Sequence, residues 1–268
     1  MPIKFYIPVV YAFRTRMGNS VEGFVKWFCE YLIPTFFCYF LAGNSLNLAI
    51  DNYFLIILLT YTLYETGYIQ NDTETIKKEK DPTLRLSLSE IAYYEKNRKA
   101  VIGIRLFIAI LLSTLLVINC SFSIGSVVAV IGSWAILLVY LIYNSVRGHM
   151  SFVLHFFLLI LRYSTSTFIF LPNVSWIVFV LCITIFPLPM MMEIIRKGKF
   201  GIQYNFAKFY LNDYKKRYIF RIKYYFLLTM FFLMFVLSAH LSVVICILPL
   251  FFLLYDSIFI IIKKNSNT

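Results

Sequence analysis

Ile50 to Arg85 reads IDNYFLIILLTYTLYETGYIQNDTETIKKEKDPTLR. Its first half is a continuous apolar run, long enough for a membrane-crossing helix and without the alternation of a barrel strand. Its second half turns polar within a few residues. Of the chain's 13 acidic residues, seven lie between Glu65 and Glu95. Carboxylates beside hydrocarbon are costly unless a cation compensates them. The junction from Glu65 to Asp72 is therefore where this sequence asks for an explanation.

Composition agrees with a membrane setting. The chain is 60% hydrophobic and 19% aromatic, with a net charge of +12 and a mean hydropathy of +0.78. High apolarity with excess Lys and Arg fits a multi-pass protein with cationic loops, whereas a nucleic-acid binder spreads such charge over a polar surface. The sequence predicts an all-α membrane bundle of about eight helices, near 22–42, 47–69, 100–119, 122–143, 152–171, 174–194, 220–239 and 242–262. The connections near 43–46, 120–121, 172–173 and 240–241 hold no Lys or Arg, and the alternate loops are basic. That alternation places both termini in the cytoplasm, with the bilayer in question expected to be the plasma membrane. One domain over 1–268 is expected, with no secretory signal and an aromatic, cationic arm before Ser20 lying along the cytoplasmic interface. The outer connections are too short for a receptor of external ligands. Cys29, Cys38, Cys120, Cys182 and Cys246 lack metal-type spacing and suit packing.

The two long loops, 70–99 and 195–223, open on the same side as the short 144–151 turn, so the cytoplasmic face should carry the site. If the second helix continues beyond its membrane end, Glu65, Asp72 and Glu79 recur every seven residues and share a face. Mg²⁺ needs one or two carboxylates plus water and phosphate oxygens, which Asp72 and Glu79 could supply. Lys80, Arg85, Arg147, Arg196, Lys197 and Lys199 project from the same side and could balance a pyrophosphate. Spacing alone fits equally well a solvated charged loop with Asn71 or Asp72 at a helix terminus.

Asn71-Asp72 at the end of the second helix, followed by acids and Pro82-Thr83-Leu84-Arg85, resembles the first motif of the UbiA superfamily of intramembrane prenyltransferases, N-D-x-x-D-x-x-x-D. The nearest branch is similar to decaprenyl-phosphate phosphoribosyltransferases. Thr75 stands at the second acid, Glu79 at the third, and Lys80 matches the basic residue that follows. Tyr143, Arg147 and Leu161-Arg162 resemble the second motif, although no carboxylate occurs between Glu95 and Glu193. The resemblance implies a UbiA-like bundle and a Mg²⁺-dependent transferase with Asp72 and Glu79 as metal ligands. Asn71, Asp72, Glu79 and Arg162 are its implied catalytic residues. Glu65, Thr75, Lys80, Arg85, Tyr143, Arg147, Arg196, Lys197 and Lys199 are its implied substrate contacts. The implied reaction transfers a 5-phosphoribosyl group from phosphoribosyl pyrophosphate to a polyprenyl phosphate for cell-envelope glycans. Prenyl transfer from a prenyl diphosphate to a small or aromatic acceptor, and a non-catalytic membrane subunit or lipid carrier, are the alternatives.

Single residues sharpen these expectations. Arg162 lies mid-span and serves either as a phosphate clamp or as a structural partner of Glu65, Glu30 or Glu193. Arg105 opens the third helix and is expected to snorkel to the headgroups. Asp256 should make a polar contact between helices, and Glu193 should pair with Arg196. His155 is expected to be a hydrogen-bonded core histidine.

Overall fold

A computed structural model describes residues 2–43, 49–78, 82–146, 148–196, 214–239 and 242–265. Every regular element among them is helical. In order they are α1 (Val10–Thr15), α2 (Val21–Trp27), α3 (Ile33–Gly43), α4 (Ile50–Thr73), α5 (Leu88–Asn119), α6 (Ile124–Ser145), α7 (His149–Ser164), α8 (Trp176–Ile185), α9 (Pro187–Arg196), α10 (Tyr214–Ala239) and α11 (Ile247–Asn265). Short 3₁₀ turns cover Ile3–Phe5, Thr75–Lys78, Thr167–Phe170 and Val243–Cys246. The chain forms two compact units, Met1–Phe179 and Val180–Thr268.

Six stretches are long and apolar enough to cross a membrane: Val21–Gly43, Leu88–Asn119, Ile124–Ser145, Trp176–Ile195, Lys216–Ser238 and Val243–Ile261. That is the make-up of a multi-pass membrane protein. The remaining two expected crossings fall on α4 and on α7, whose helix is shorter and apolar. Burial explains why α4 differs. It has 24 residues, of which 15 are buried, Thr60, Thr62 and Glu65 among them. By contrast, only 22% of the apolar window of α5 is buried. The outer helix shows its apolar face to the surroundings, while α4 runs between α5 and α6 and is solvated by protein, where polar side chains find partners.

Local chemistry sets the helix ends and bends. Ser87 opens α5 with a capping box, its Oγ accepting from the Glu90 N–H while Glu90 Oε2 accepts from the Ser87 N–H. Asn97 leaves helical geometry (φ −113°, ψ 16°) and its amide donates to the Tyr93 carbonyl at 2.9 Å. The bend separates the charged first turns of α5 from its apolar remainder. α2 passes into α3 through a π turn, Phe28–Leu32. Pro34 follows and has no N–H for the carbonyl of Glu30. Tyr163 Oη donates to that carbonyl at 2.6 Å instead, and Tyr53 Oη donates to Leu32 O at 2.9 Å. Tyrosine hydroxyls thus satisfy backbone that water cannot reach.

The second unit uses the same device. Tyr225 Oη donates at 2.9 Å to the carbonyl of Ile185, which Pro189 cannot serve. Arg221 on α10 pairs with the fully buried Asp256 on α11 at 3.0 Å, the inter-helix contact expected of that acid. Glu193 lies 3.7 Å from Arg217.

Gly67 shows how closely α4 and α6 approach. A Cβ there would stand 2.2 Å from Cγ of Tyr140, whereas one at Gly103 would meet nothing within 4 Å. Gly67→Ala should therefore destabilise the protein by about 1–3 kcal/mol through overpacking. Gly103→Ala should stabilise it by about 0.5–1 kcal/mol through helix propensity. Thermal unfolding of both variants in one detergent checks the contrast, and equal melting temperatures would contradict the close approach.

Candidate functional site

Helical spacing puts Glu65 and Asp72 on one face of α4, two turns apart. That face receives the N-terminal arm. Phe5, Tyr6 and Tyr11 of the arm are buried in one cluster with Ile69 of α4, Leu86, and Tyr94 and Val101 of α5. Glu65 is fully buried and serves the arm's backbone: Oε1 accepts from the Ala12 N–H at 2.6 Å and Oε2 from the Val9 N–H at 3.1 Å. It thereby fills the orphan donors at the start of α1. It also holds Val9 at a positive φ of 71°, a conformation that costs a β-branched residue about 1–3 kcal/mol.

Arg105 completes this anchor. It does not snorkel, because its guanidinium is buried and donates to Glu65 Oε2 at 3.0 Å. Further donations go to the carbonyls of Phe5 at 2.7 Å, Lys4 at 3.3 Å and Thr62 at 3.3 Å. A planar fork with five donors matches several acceptors at once, which a lysine would not. The charge predicted to reach for headgroups instead ties α5, α4 and the arm together.

One heptad further along, Asp72 collects cations. Its Oδ1 accepts from Arg16 Nη2 at 2.9 Å, Arg85 Nη1 at 3.3 Å and Asn71 Nδ2 at 3.3 Å. Its Oδ2 accepts from Tyr11 Oη at 2.9 Å. Arg16 also lies over the Tyr68 ring, 4.2 Å from its centre. Burial opposes the charge on Arg16 most strongly, but the hydrogen bond to Asp72 together with the charges of Asp72 and the neighbouring tyrosines raises the guanidinium above its ordinary pKa. Burial, then the Asp72 charge, raises the Tyr11 phenol, so it stays protonated and donates. Leu86, buried in the arm cluster, anchors the segment that brings Arg85 in from the surface.

Tyr61, Tyr64 and Tyr68 continue the same helix as a stripe at i, i+3 and i+7. Arg162 of α7 lies over it, 4.8 Å from the Tyr64 ring centre and 5.1 Å from that of Tyr61. The Tyr31 ring is 4.3 Å away on another side. Arg162 Nη2 donates to Tyr61 Oη, and its Nε is buried without a hydrogen-bond partner. Glu65, a candidate partner for Arg162, pairs with Arg105 instead. Among the described residues Arg162 is met by π faces and phenols rather than by a carboxylate. The rings of Tyr64 and Tyr68 touch at 5.0 Å, so the stripe joins Arg162 to Arg16.

The structure thus brings Asn71, Asp72 and Arg85 together, with Arg162 on the connected stripe. Glu65 is committed to the arm. Thr75 is buried in the 3₁₀ turn after α4. Tyr143 on α6 contacts the rings of Tyr140 at 5.6 Å and His155 at 5.9 Å. Glu79, Lys80, Arg147, Lys197 and Lys199 lie outside the described residues, as does the side chain of Arg196, which ends α9. Sequence spacing singles out neither Arg16 nor Tyr11, because both come from a separate segment. Tyr61, Tyr64 and Tyr68 likewise have no role assigned from the sequence, although their i, i+3, i+7 spacing is the signal that places them on one helix face.

Among the described residues no three His, Cys, Asp or Glu side chains form a metal-holding group. Asp72 is the described carboxylate of the expected pair, and four donors already occupy its oxygens. A Mg²⁺ at Asp72 has to compete with Arg16 and Arg85, so the described donors do not by themselves fit a metal site. Comparison with protein families, curated proteins and solved structures yields no match for this chain.

Arg105→Met strands a buried carboxylate and should cost about 3–5 kcal/mol. Arg98→Gln removes a solvent-exposed pair with Glu74 and should cost under about 1 kcal/mol. Melting in detergent reports the difference, and limited trypsin digestion should cut the Arg105→Met arm at Arg14 faster than wild type.

Proposed function

We propose that this protein is a membrane transferase of the UbiA type that moves a 5-phosphoribosyl group from phosphoribosyl pyrophosphate to a polyprenyl phosphate. The observation that carries the proposal is the run of guanidinium groups along α4. Arg85 and Arg16 meet Asp72, and Arg162 sits on the connected tyrosine stripe with a spare buried donor. Cations poised at low dielectric favour phosphorylated ligands and stabilise a departing diphosphate. In the proposed reaction a phosphate oxygen of the lipid attacks the anomeric carbon, the bond from that carbon to the diphosphate breaks, and the diphosphate leaves with both electrons. Mg²⁺ enters this proposal only as the counter-ion of the donor's diphosphate, because the oxygens of Asp72 are already held by Tyr11, Arg16, Arg85 and Asn71. Arg85 and Arg162, with Lys80 and Arg147, balance the remaining charge, and the lipid tail lies against apolar helix surface.

The proposal also takes α4 and α7 as membrane crossings, making eight, with both termini and the site on the cytoplasmic side of the plasma membrane. Cys120, between α5 and α6, is then on the outer side. In intact cells a membrane-impermeant maleimide should label it, and a chain with Cys120→Ser should lose that signal. Labelling that requires permeabilised cells would reverse the orientation.

A second reading, a binder or carrier of phosphorylated polyprenyl lipid without transfer, is favoured by the occupied oxygens of Asp72, which resemble a settled ion pair. Incubation of purified protein with radiolabelled phosphoribosyl pyrophosphate, Mg²⁺ and polyprenyl phosphate separates the two. A transferase yields lipid-extractable label, and Asp72→Asn lowers it at least about a hundredfold. No label, with polyprenyl phosphate still bound, selects the carrier.

A further inference from the structure

The arm contributes a group that has no assigned role. Arg16 spends Nη2 on Asp72 and lays its plane on Tyr68, yet its Nη1 is buried with no hydrogen-bond partner. A buried guanidinium donor left open costs about 1–3 kcal/mol or more, so a natural site that retains one has a use for it. Arg85 approaches the same Oδ1 through Nη1 alone, with a third of its side chain (33%) still exposed. Two guanidinium groups therefore share one carboxylate oxygen, and the local charge is one positive in excess. The arm is no loose strap: Glu65, Arg105 and the buried aromatics pin it between Phe5 and Ala12, the last of these one turn before Arg16.

We propose that Arg16 and Arg85 form a fork that grips a phosphate group of the ligand directly, without a metal, and that Asp72 acts as the positioning residue holding the two guanidiniums side by side. Arg16 is thus a ligand-binding residue supplied by the N-terminal arm. The ligand class is a phosphate or diphosphate monoester, whose oxygens match paired N–H donors. The proposal rests on the transferase or carrier reading only for the name of that ester; the fork itself is a property of the three side chains.

The test is equilibrium binding of inorganic pyrophosphate to the full chain in nanodiscs, by calorimetry, with EDTA and with Mg²⁺. Binding should persist in EDTA. Arg16→Gln should weaken it at least about tenfold, the loss of one charge-assisted contact, while Arg16→Lys recovers part and Arg98→Gln changes nothing. Melting curves of each variant identify any that fail to fold; should Arg16→Gln be one, Arg85→Gln, which comes from the exposed side, carries the same expectation. Binding abolished by EDTA, or untouched in both glutamine variants, overturns the fork. The phosphoribosyl-transfer assay is independent: pyrophosphate bound in EDTA with no transfer would end the transferase proposal and leave the fork standing. Full transfer by Arg16→Gln with an unchanged KM for phosphoribosyl pyrophosphate would do the opposite.

Discussion

The buried pair of Glu65 and Arg105 is the contact on which the rest of the first unit depends. An ion pair in an apolar interior recovers its desolvation cost only when the remaining donors and acceptors are also satisfied. Here they are satisfied by backbone, the N–H groups of Val9 and Ala12 on one side and the carbonyls of Lys4, Phe5 and Thr62 on the other. The pair thus does more than neutralise itself. It docks the arm alongside the buried aromatics and the Tyr11 and Arg16 contacts to Asp72, and it fixes where α1 begins.

Everything at the candidate site inherits that docking. Tyr11 lies between the two residues that Glu65 anchors and Arg16 about one turn past Ala12, so they reach Asp72 because the arm's backbone is held at Val9 and Ala12. The opposite wall comes from the segment before α5, fixed by buried Leu86 and the Ser87–Glu90 capping box. Asp72 therefore stands between two cations, Arg16 from the arm and Arg85 from the segment before α5. The tyrosine stripe below it offers π faces and phenols to Arg162 in place of a carboxylate. A guanidinium satisfied this way keeps its charge available to an anion, which a salt bridge would largely cancel.

The polar character of α4 has the same origin. A helix flanked by α5 and α6 along its length is solvated by protein, and Thr60, Thr62, Glu65 and Asp72 are buried there with partners. Gly67 completes the arrangement by letting the Tyr140 ring lie against the backbone.

Helical class, the apolar stretches and the special standing of the Glu65–Asp72 face were readable in the chain alone, because they rest on local properties: hydrocarbon run length, the 3.6-residue period and the clustering of charge. Partner choice was not readable. Arg105 was a plausible snorkelling residue and Arg162 a plausible mate for Glu65, since both carry the same charge and sequence spacing cannot rank them. Only packing decided that Arg105 takes the carboxylate and that Arg162 takes tyrosines. Likewise only tertiary structure brought Arg16 to Asp72, 56 residues away. Coulombic and hydrogen-bond pairing is decided by distance in space, and a chain that folds back on itself makes that distance independent of separation along the sequence.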